Sequence, residues 1–405
     1  MNKLILILLI HLISISCLFS QTVSDGELLK NNTYYFEISD GEANGKGFEI
    51  LKNQIANSQF VVLGEEHFSA RVSEFTNAIV PTLAKNEFKY FAAEIGANSA
   101  KVMYELVKEN RSLYDFNTQV NNLVGEVPIP FFDGKEDEVF LKSFIENDFE
   151  LWGIDQEYFT SQIFLIDRLY SLSDHTKQLE PLYEAAKEFA ILETKKSRQN
   201  RKYKLFTSLL QSVEINQFFD ALDGSNCEIN NIICGLKKSW EVYELLNDKE
   251  HYASIHKRLS IMQENFTNYY KEALEVEVLP KVFVKIGGVH ASKGRSHHNI
   301  YDIGNFIMEL ANFNKQKSTH ILIFPSAYVN NEGKITSNID KEDEKLFGSI
   351  VDFGSDKWTL IDLKSIEKLS WENKIESESL KDYMYRFDYI LMTPSSKQTE
   401  LNCKE

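Results

Sequence analysis

Short apolar runs, each about the length of one strand, recur along this chain: QFVVLG at 59–64, KYFAAEIG at 89–96, FELWGID at 149–155 and KVFVKIGG at 281–288. THILIFPS at 319–326, KWTLIDL at 357–363 and FDYILMT at 387–393 follow. Strands of a parallel sheet read this way because helices cover both of their faces. After the first run, Val72, Phe75, Ile79 and Leu83 fall three or four residues apart, which predicts a helix with one buried stripe. ANSAKVMYELVKEN at 97–110 predicts another after the second run. Strand and helix alternating across short joints is the rhythm of a parallel sheet.

Between the third and fourth runs the pattern changes. Residues 160–280 are helical in character almost throughout, as in LEPLYEAAKEFAILETKK and NFTNYYKEALEVEV, and nothing there alternates with a period of two. The predicted fold class is therefore α/β: a mostly parallel central sheet flanked by helices, with a large helical insertion or cap at about 160–280. With only 7 prolines there is no obvious linker. The expected organisation is one α/β domain over 51–395. An N-terminal extension at 21–50 holds at most a short strand, and 396–405 form a polar tail.

The first 20 residues read as a leader rather than structure. Lys3 supplies the positive charge, Leu4 to Ile15 the apolar run, and Ser14, Ser16 and Ser20 the small residues before Gln21. The run is short for ~30 Å of hydrocarbon and no basic stop-transfer segment follows it. Cleavage after Ser20 is expected, so the protein should be exported, to a periplasm or outside the cell, with no stable membrane span. An uncleaved anchor is the alternative. Lipoprotein anchoring through Cys17 is the weaker reading, because Ser14 stands where such signals usually carry Leu.

Net charge of −16 sets limits on partners. Nucleic acid and anionic lipid both require clustered Lys and Arg, and no basic stripe is present, so no nucleic-acid partner is expected. Cys227 and Cys234 lie in GSNCEINNIICG, which reads as a Gly/Asn-rich turn. In an oxidising compartment a local Cys227–Cys234 disulfide is expected there, two reduced thiols being the alternative. Cys403, in the tail, is left over.

Ligands of open parallel sheets bind beyond the carboxyl ends of the strands, and polar residues collect at those ends. The first strand ends in Glu65-Glu66-His67, the second carries Glu94, the third ends in Asp155, and the fourth leads through two glycines to His290. Each has a plainer explanation: a carboxylate at a helix N-terminus, an N-cap, a loop histidine. Glu94 resists it, since an ionised carboxylate in an apolar strand is costly unless paired, and His67 or His290 is a natural partner. Histidine with a carboxylate beside it suits a general base for water. Two histidines and two carboxylates equally suit Zn, Mn or Fe. Arg71, one turn past His67, is a candidate for an anionic group or simply a solvated helix residue. His297 and His298 read as a surface loop. Phosphate-loop, dinucleotide, serine-elbow and HExxH motifs are absent.

LGEEHF at 63–68, FAAEIG at 91–96, GID at 153–155 and KIGGVH at 285–290 resemble, in order and spacing, the erythromycin esterase-like and ChaN-like superfamily. That superfamily also includes the Tiki/TraB-type metalloproteases. The resemblance spans most of 55–325 and implies catalytic Glu65, His67, Glu94 and His290; Asp155 and Arg71, read from their positions, are the supporting candidates. In the esterase branch such residues activate water for ester hydrolysis. In the Tiki branch they hold a divalent metal, and the ChaN branch is tied to iron or haem. The GEEH spacing is closer to the ChaN and Tiki forms, and the second histidine that the esterases place near His290 is missing. The resulting expectation is an exported hydrolase acting on a small molecule or peptide, with a divalent metal ahead of haem among cofactors. The alternatives are a non-catalytic metal- or haem-binding protein on the same scaffold, and a member that has lost activity and serves as a binding module.

Overall fold

The computed structural model describes residues 24–404 apart from 223, 225, 331, 338–347 and 372–374. The leader and Cys17 therefore lie outside the described residues. Among the described residues nine strands form one sheet, in the order β2-β1-β10-β11-β7-β3-β6-β4-β5. These are β1 (Thr33–Ser39), β2 (Glu42–Asn44), β3 (Phe60–Glu65), β4 (Tyr90–Gly96), β5 (Glu150–Asp155), β6 (Val282–Gly287), β7 (Ser318–Pro325), β10 (Trp358–Asp362) and β11 (Tyr389–Thr393). From β11 across to β5 all neighbours are parallel, and β10, β1 and β2 add an antiparallel margin. A separate ribbon pairs β8 (Ala327–Val329) with β9 (Ile335–Ser337).

Every residue of β3, β4 and β6 is buried, which is why their sequences show no alternation. The pleat still sorts them. Val61, Leu63, Phe91 and Phe283 face one hydrophobic layer with the helix Ala70–Lys85, while Phe60, Val62, Tyr90 and Val284 face the other with Met262, Phe266 and Ile307.

The helical insertion runs from Gln162–Ser171 to His251–Leu274. Its Ile215, Phe218, Leu236 and Trp240 belong to the same hydrophobic cluster as Val61 and Phe91 of the sheet. Its last helix, His251–Leu274, carries Met262 and Phe266 into the opposite layer. The insertion thus shares the core of the sheet on both faces, and its last helix is tied to the sheet. No described helix is long and apolar enough to cross a membrane.

The structure adds order at both ends. Residues 33–44 form β1 and β2, where Phe36 is the one fully buried residue of β1, too weak a pattern to reveal a strand. The polar residues 396–403 are hydrogen-bonded to loops at the carboxyl end of the sheet.

The expected disulfide is not formed: Cys227 and Cys234 are both free and exposed. They lie on one helix, Cys227–Asn247, which Asn226 caps by accepting the Ile229 N–H at 2.8 Å. A seven-residue offset on an α-helix is about 10.5 Å along the axis, well beyond the ~4.4–6.8 Å that a disulfide bridges between Cα atoms. The Gly/Asn-rich stretch is a cap followed by helix, not a turn joining the cysteines. Thiol titration of the native protein will therefore find both Cys227 and Cys234 reactive, and a reductant will leave its melting temperature unchanged. Failure of either thiol to react without denaturant would contradict the helix.

Candidate active site

β6 returns from the insertion to lie between β3 and β4, so β3, β6, β4 and β5 are consecutive in the sheet. Their carboxyl ends meet at one edge, at the topological reversal where ligands of such sheets bind. Glu65 is the last residue of β3, and the loop beyond it carries His67 before Ser69 caps the helix Ala70–Lys85. Asp155 ends β5. The β4–β6 pairing stops at Ala93, and beyond it the Gly287 N–H donates to the Glu94 carboxylate. A Cβ on Gly287 would sit 3.0 Å from His67 Nε2 and 3.2 Å from Glu94 Oε2, so a side chain there would have to push one of these two groups aside by a few tenths of an ångström.

Two buried charge clusters result. In one, Glu65 accepts from His67 Nδ1 at 3.2 Å, and its other oxygen lies 2.6 Å from Lys285 Nζ. In the other, Arg258, from the helix His251–Leu274, donates from Nη2 to Glu94 at 2.7 Å and to Asp155 at 2.6 Å, and from Nε to Asp155 at 2.9 Å. His290 lies beside this second cluster. Its Nε2 is 3.3 Å from Arg258 Nη1 and 3.9 Å from Glu94, and its Nδ1 donates to Asp302 at 2.9 Å. Asp302 also accepts the Ile303 N–H, so one carboxylate caps a helix and orients the ring. His67 Nε2 links the clusters, 3.8 Å from Glu94.

The electrostatics follow from burial opposed by partners. Burial pushes the Glu65 carboxyl up, but Lys285 and His67 outweigh it and hold it below its ordinary value. Glu94 is likewise pushed up by burial and brought down, chiefly by Arg258 and then by His290, His67 and the Gly287 N–H, to about 2. For His290, burial lowers the pKa and Arg258 adds to that, yet Asp302 and Glu94 leave it above its ordinary value. Both carboxylates are thus ionised at neutral pH. With Glu65 able only to accept, a neutral His67 imidazole has its proton on Nδ1 and its lone pair on Nε2.

A cavity of about 450 Å³ opens beside these groups, lined at its floor by Glu94, Asp155 and Arg258 and at its walls by Ile129, Phe131, Tyr158, Tyr243, Leu246 and Ile255. Phe131, which lines the cavity, stacks its ring on His67 at 3.7 Å between ring centres.

The predicted residues do not all arrive. Glu65, His67, Glu94, Asp155 and His290 come together. Arg71 does not: it pairs with Glu74 at 2.5 Å on a partly exposed helix face. His298 lines the cavity with its ring 6.3 Å from that of His290, while His297 packs against Tyr383. Lys285, Arg258, Asp302 and Phe131 escaped the sequence reading. Only Lys285 had left a signal, a cation inside the apolar run KVFVKIGG.

The donor set does not suit a divalent metal. Arg258 places a fixed positive charge among Glu94, Asp155 and His290, where a cation would have to lie. Among the described residues no three His, Cys, Asp or Glu side chains are arranged to hold a metal ion.

No family model and no curated protein matches the chain by sequence. Solved structures do. A Bacillus cereus protein superposes with a TM-score of 0.54 at 16% identity, over 91% of this chain and 96% of that one. A mutant of the erythromycin esterase EreC in its open conformation gives 0.50 at 16% identity, over 88% and 95%. A succinoglycan biosynthesis protein gives 0.52 at 14% identity, over 93% and 97%. At such identities the likeness establishes the fold, which is erythromycin esterase-like.

Proposed function

We propose that this chain, which has the erythromycin esterase-like fold, is an exported hydrolase that cleaves an ester or related acyl bond of a small molecule, with His67 activating water. The observation that carries the reading is the placement of His67 between two buried, ionised carboxylates, with Nδ1 tied to Glu65 and Nε2 opening toward Glu94 beside the cavity. A water at Nε2 gives up a proton to His67 as it attacks the acyl carbon. The negative charge developing on the carbonyl oxygen is met by Arg258 and His290, groups already held in place by Asp155, Glu94 and Asp302. The imidazolium, stabilised by Glu65, then returns the proton to the leaving oxygen, giving an acid and an alcohol. The largely apolar walls suit a substrate with an apolar body, and the leader expected at the N-terminus argues for one outside the cytoplasm.

The test is a series of 4-nitrophenyl esters with acyl chains of increasing length. Turnover is expected, and His67→Asn should lower kcat/KM by at least about a hundredfold while leaving the circular dichroism and melting temperature near wild type. A His67→Asn protein with wild-type kcat/KM would overturn the assignment, as would the absence of turnover on every ester offered.

A further inference from the structure

The residues that sequence reading set aside as a polar tail run across the carboxyl end of the sheet and fasten the two loops that meet at His67. Lys397 accepts from the Ala70 N–H at 3.0 Å, and the Thr399 N–H donates to the Phe68 carbonyl at 2.9 Å. Further along, Glu400 accepts from the Lys135 N–H at 2.8 Å and the Asn402 N–H donates to Asp133 at 2.7 Å. Side chains add to the backbone ladder. The Ser396 hydroxyl bonds that of Ser69 at 2.9 Å and accepts the Arg71 N–H at 3.1 Å, and Asn402 accepts from Asn117 at 3.1 Å through its carbonyl. Ser396 is 1% exposed and Asn402 4%, although both are polar residues near the chain end.

The fastened loops are strained where they touch. Phe68 and Phe131 both have positive φ, 63° and 65°, a region costly for bulky side chains and kept only where the surroundings enforce it. Phe68 follows His67, and Phe131 stacks on the His67 ring at 3.7 Å with 13° between planes. The tail bonds the carbonyl of Phe68 on one side and the segment just beyond Phe131 on the other.

We propose that residues 396–403 are a positioning strap that holds His67 face to face with Phe131, and so sets both the direction of Nε2 and the wall of the cavity. The activity consequence rests on the esterase reading; the conformational one does not. The full-length Ser396→Ala/Asn402→Ala protein deletes the Ser396 hydroxyl that bonds Ser69 and Arg71 and the Asn402 side-chain amide that donates to Glu138 at 2.5 Å, and Thr399→Pro removes the bond to Phe68 by deleting its N–H.

In protein labelled at histidine ring carbons, the His67 ring proton, identified by its loss in His67→Asn, should resonate upfield in the wild type because it lies over Phe131. It should move toward the free-histidine position in both variants. On the ester substrate kcat should fall about ten- to hundredfold with KM changed far less, and Ser396→Thr, which keeps the hydroxyl, should stay near wild type. A His67 resonance unmoved in either variant, folded by circular dichroism, would overturn the strap. A resonance that moves in a protein without esterase activity would sustain the strap and defeat the hydrolase reading. Should the double variant not fold, Thr399→Pro decides by the same resonance, and Ser396→Ala alone decides if neither folds.

Discussion

Arg258→Met will abolish detectable ester hydrolysis and destabilise the protein at neutral pH by about 3–5 kcal/mol, the usual cost of removing one partner from a buried ionic group. Arg258 is the shared counter-charge of Glu94 and Asp155, both more than nine-tenths buried, and methionine would leave the two carboxylates facing each other without it. The loss should depend on pH in a definite direction. In the native protein Glu94 titrates at about 2, well below its ordinary 4.5, so it contributes stability that is complete above about 4.5 and is lost as pH falls toward 2. Without Arg258, burial dominates and pushes the Glu94 carboxyl up. A group raised in this way is tolerated better when protonated, so the variant's deficit should shrink as pH is lowered from 7 to 4.5. Urea denaturation at both pH values measures it. An equal deficit at the two pH values, or retained activity, would contradict the role given to Arg258.

Lys285→Met is the second large effect, and it separates stability from catalysis. Lys285 is 3% exposed, 2.6 Å from Glu65, with its ammonium 5.1 Å from the centre of the Phe140 ring. Methionine matches its stem and fills the same apolar channel, but Glu65 loses its chief stabilising partner, at a similar cost of about 3–5 kcal/mol. Burial then raises the Glu65 carboxyl, and once it takes up a proton it donates to His67 Nδ1. The imidazole proton moves to Nε2, and the lone pair needed for water is gone. The acidic limb of the pH–rate profile should therefore move to higher pH. Asp137, already pushed up to about 7 by burial and kept from rising further mainly by Lys285, should stay protonated to higher pH as well. Adding Glu65→Gln to Lys285→Met should recover most of the stability, because no charge is left unpaired, yet none of the activity. An unshifted pH–rate profile in Lys285→Met would show that Glu65 does not govern His67.

The strands and the acids at their ends were legible because both signals are local. A strand buried on both faces must be continuously apolar, so Glu94 inside FAAEIG and Glu65 and Asp155 at the ends of such runs stood out from their own neighbours. The same locality misled elsewhere. GSNCEINNIICG carries the residues of a turn, but Asn226 turns that chemistry into a helix cap, and helical rise then carries Cys227 and Cys234 apart. Arg258 gave no sign, since a cation on a long amphipathic helix looks like any solvated face until tertiary packing lays that helix against β5. The strap was equally silent, because polar residues such as Glu400 and Asn402 are satisfied by Glu136 and Glu138, 264 positions away in the chain.

From the order of residues alone came the parallel sheet, the helical insertion, the carboxylates and histidines at one sheet edge, and the expectation of a leader. These depend on hydrophobic periodicity and strand-end position, which a few consecutive residues express. Tertiary packing alone set the insertion of β6 between β3 and β4, the arrival of Arg258 and Lys285 as counter-charges, and the closure of the His67–Phe131 contact by residues 396–403. Each joins segments far apart in the chain through distance and charge, and no local pattern encodes a partner that folding alone brings near.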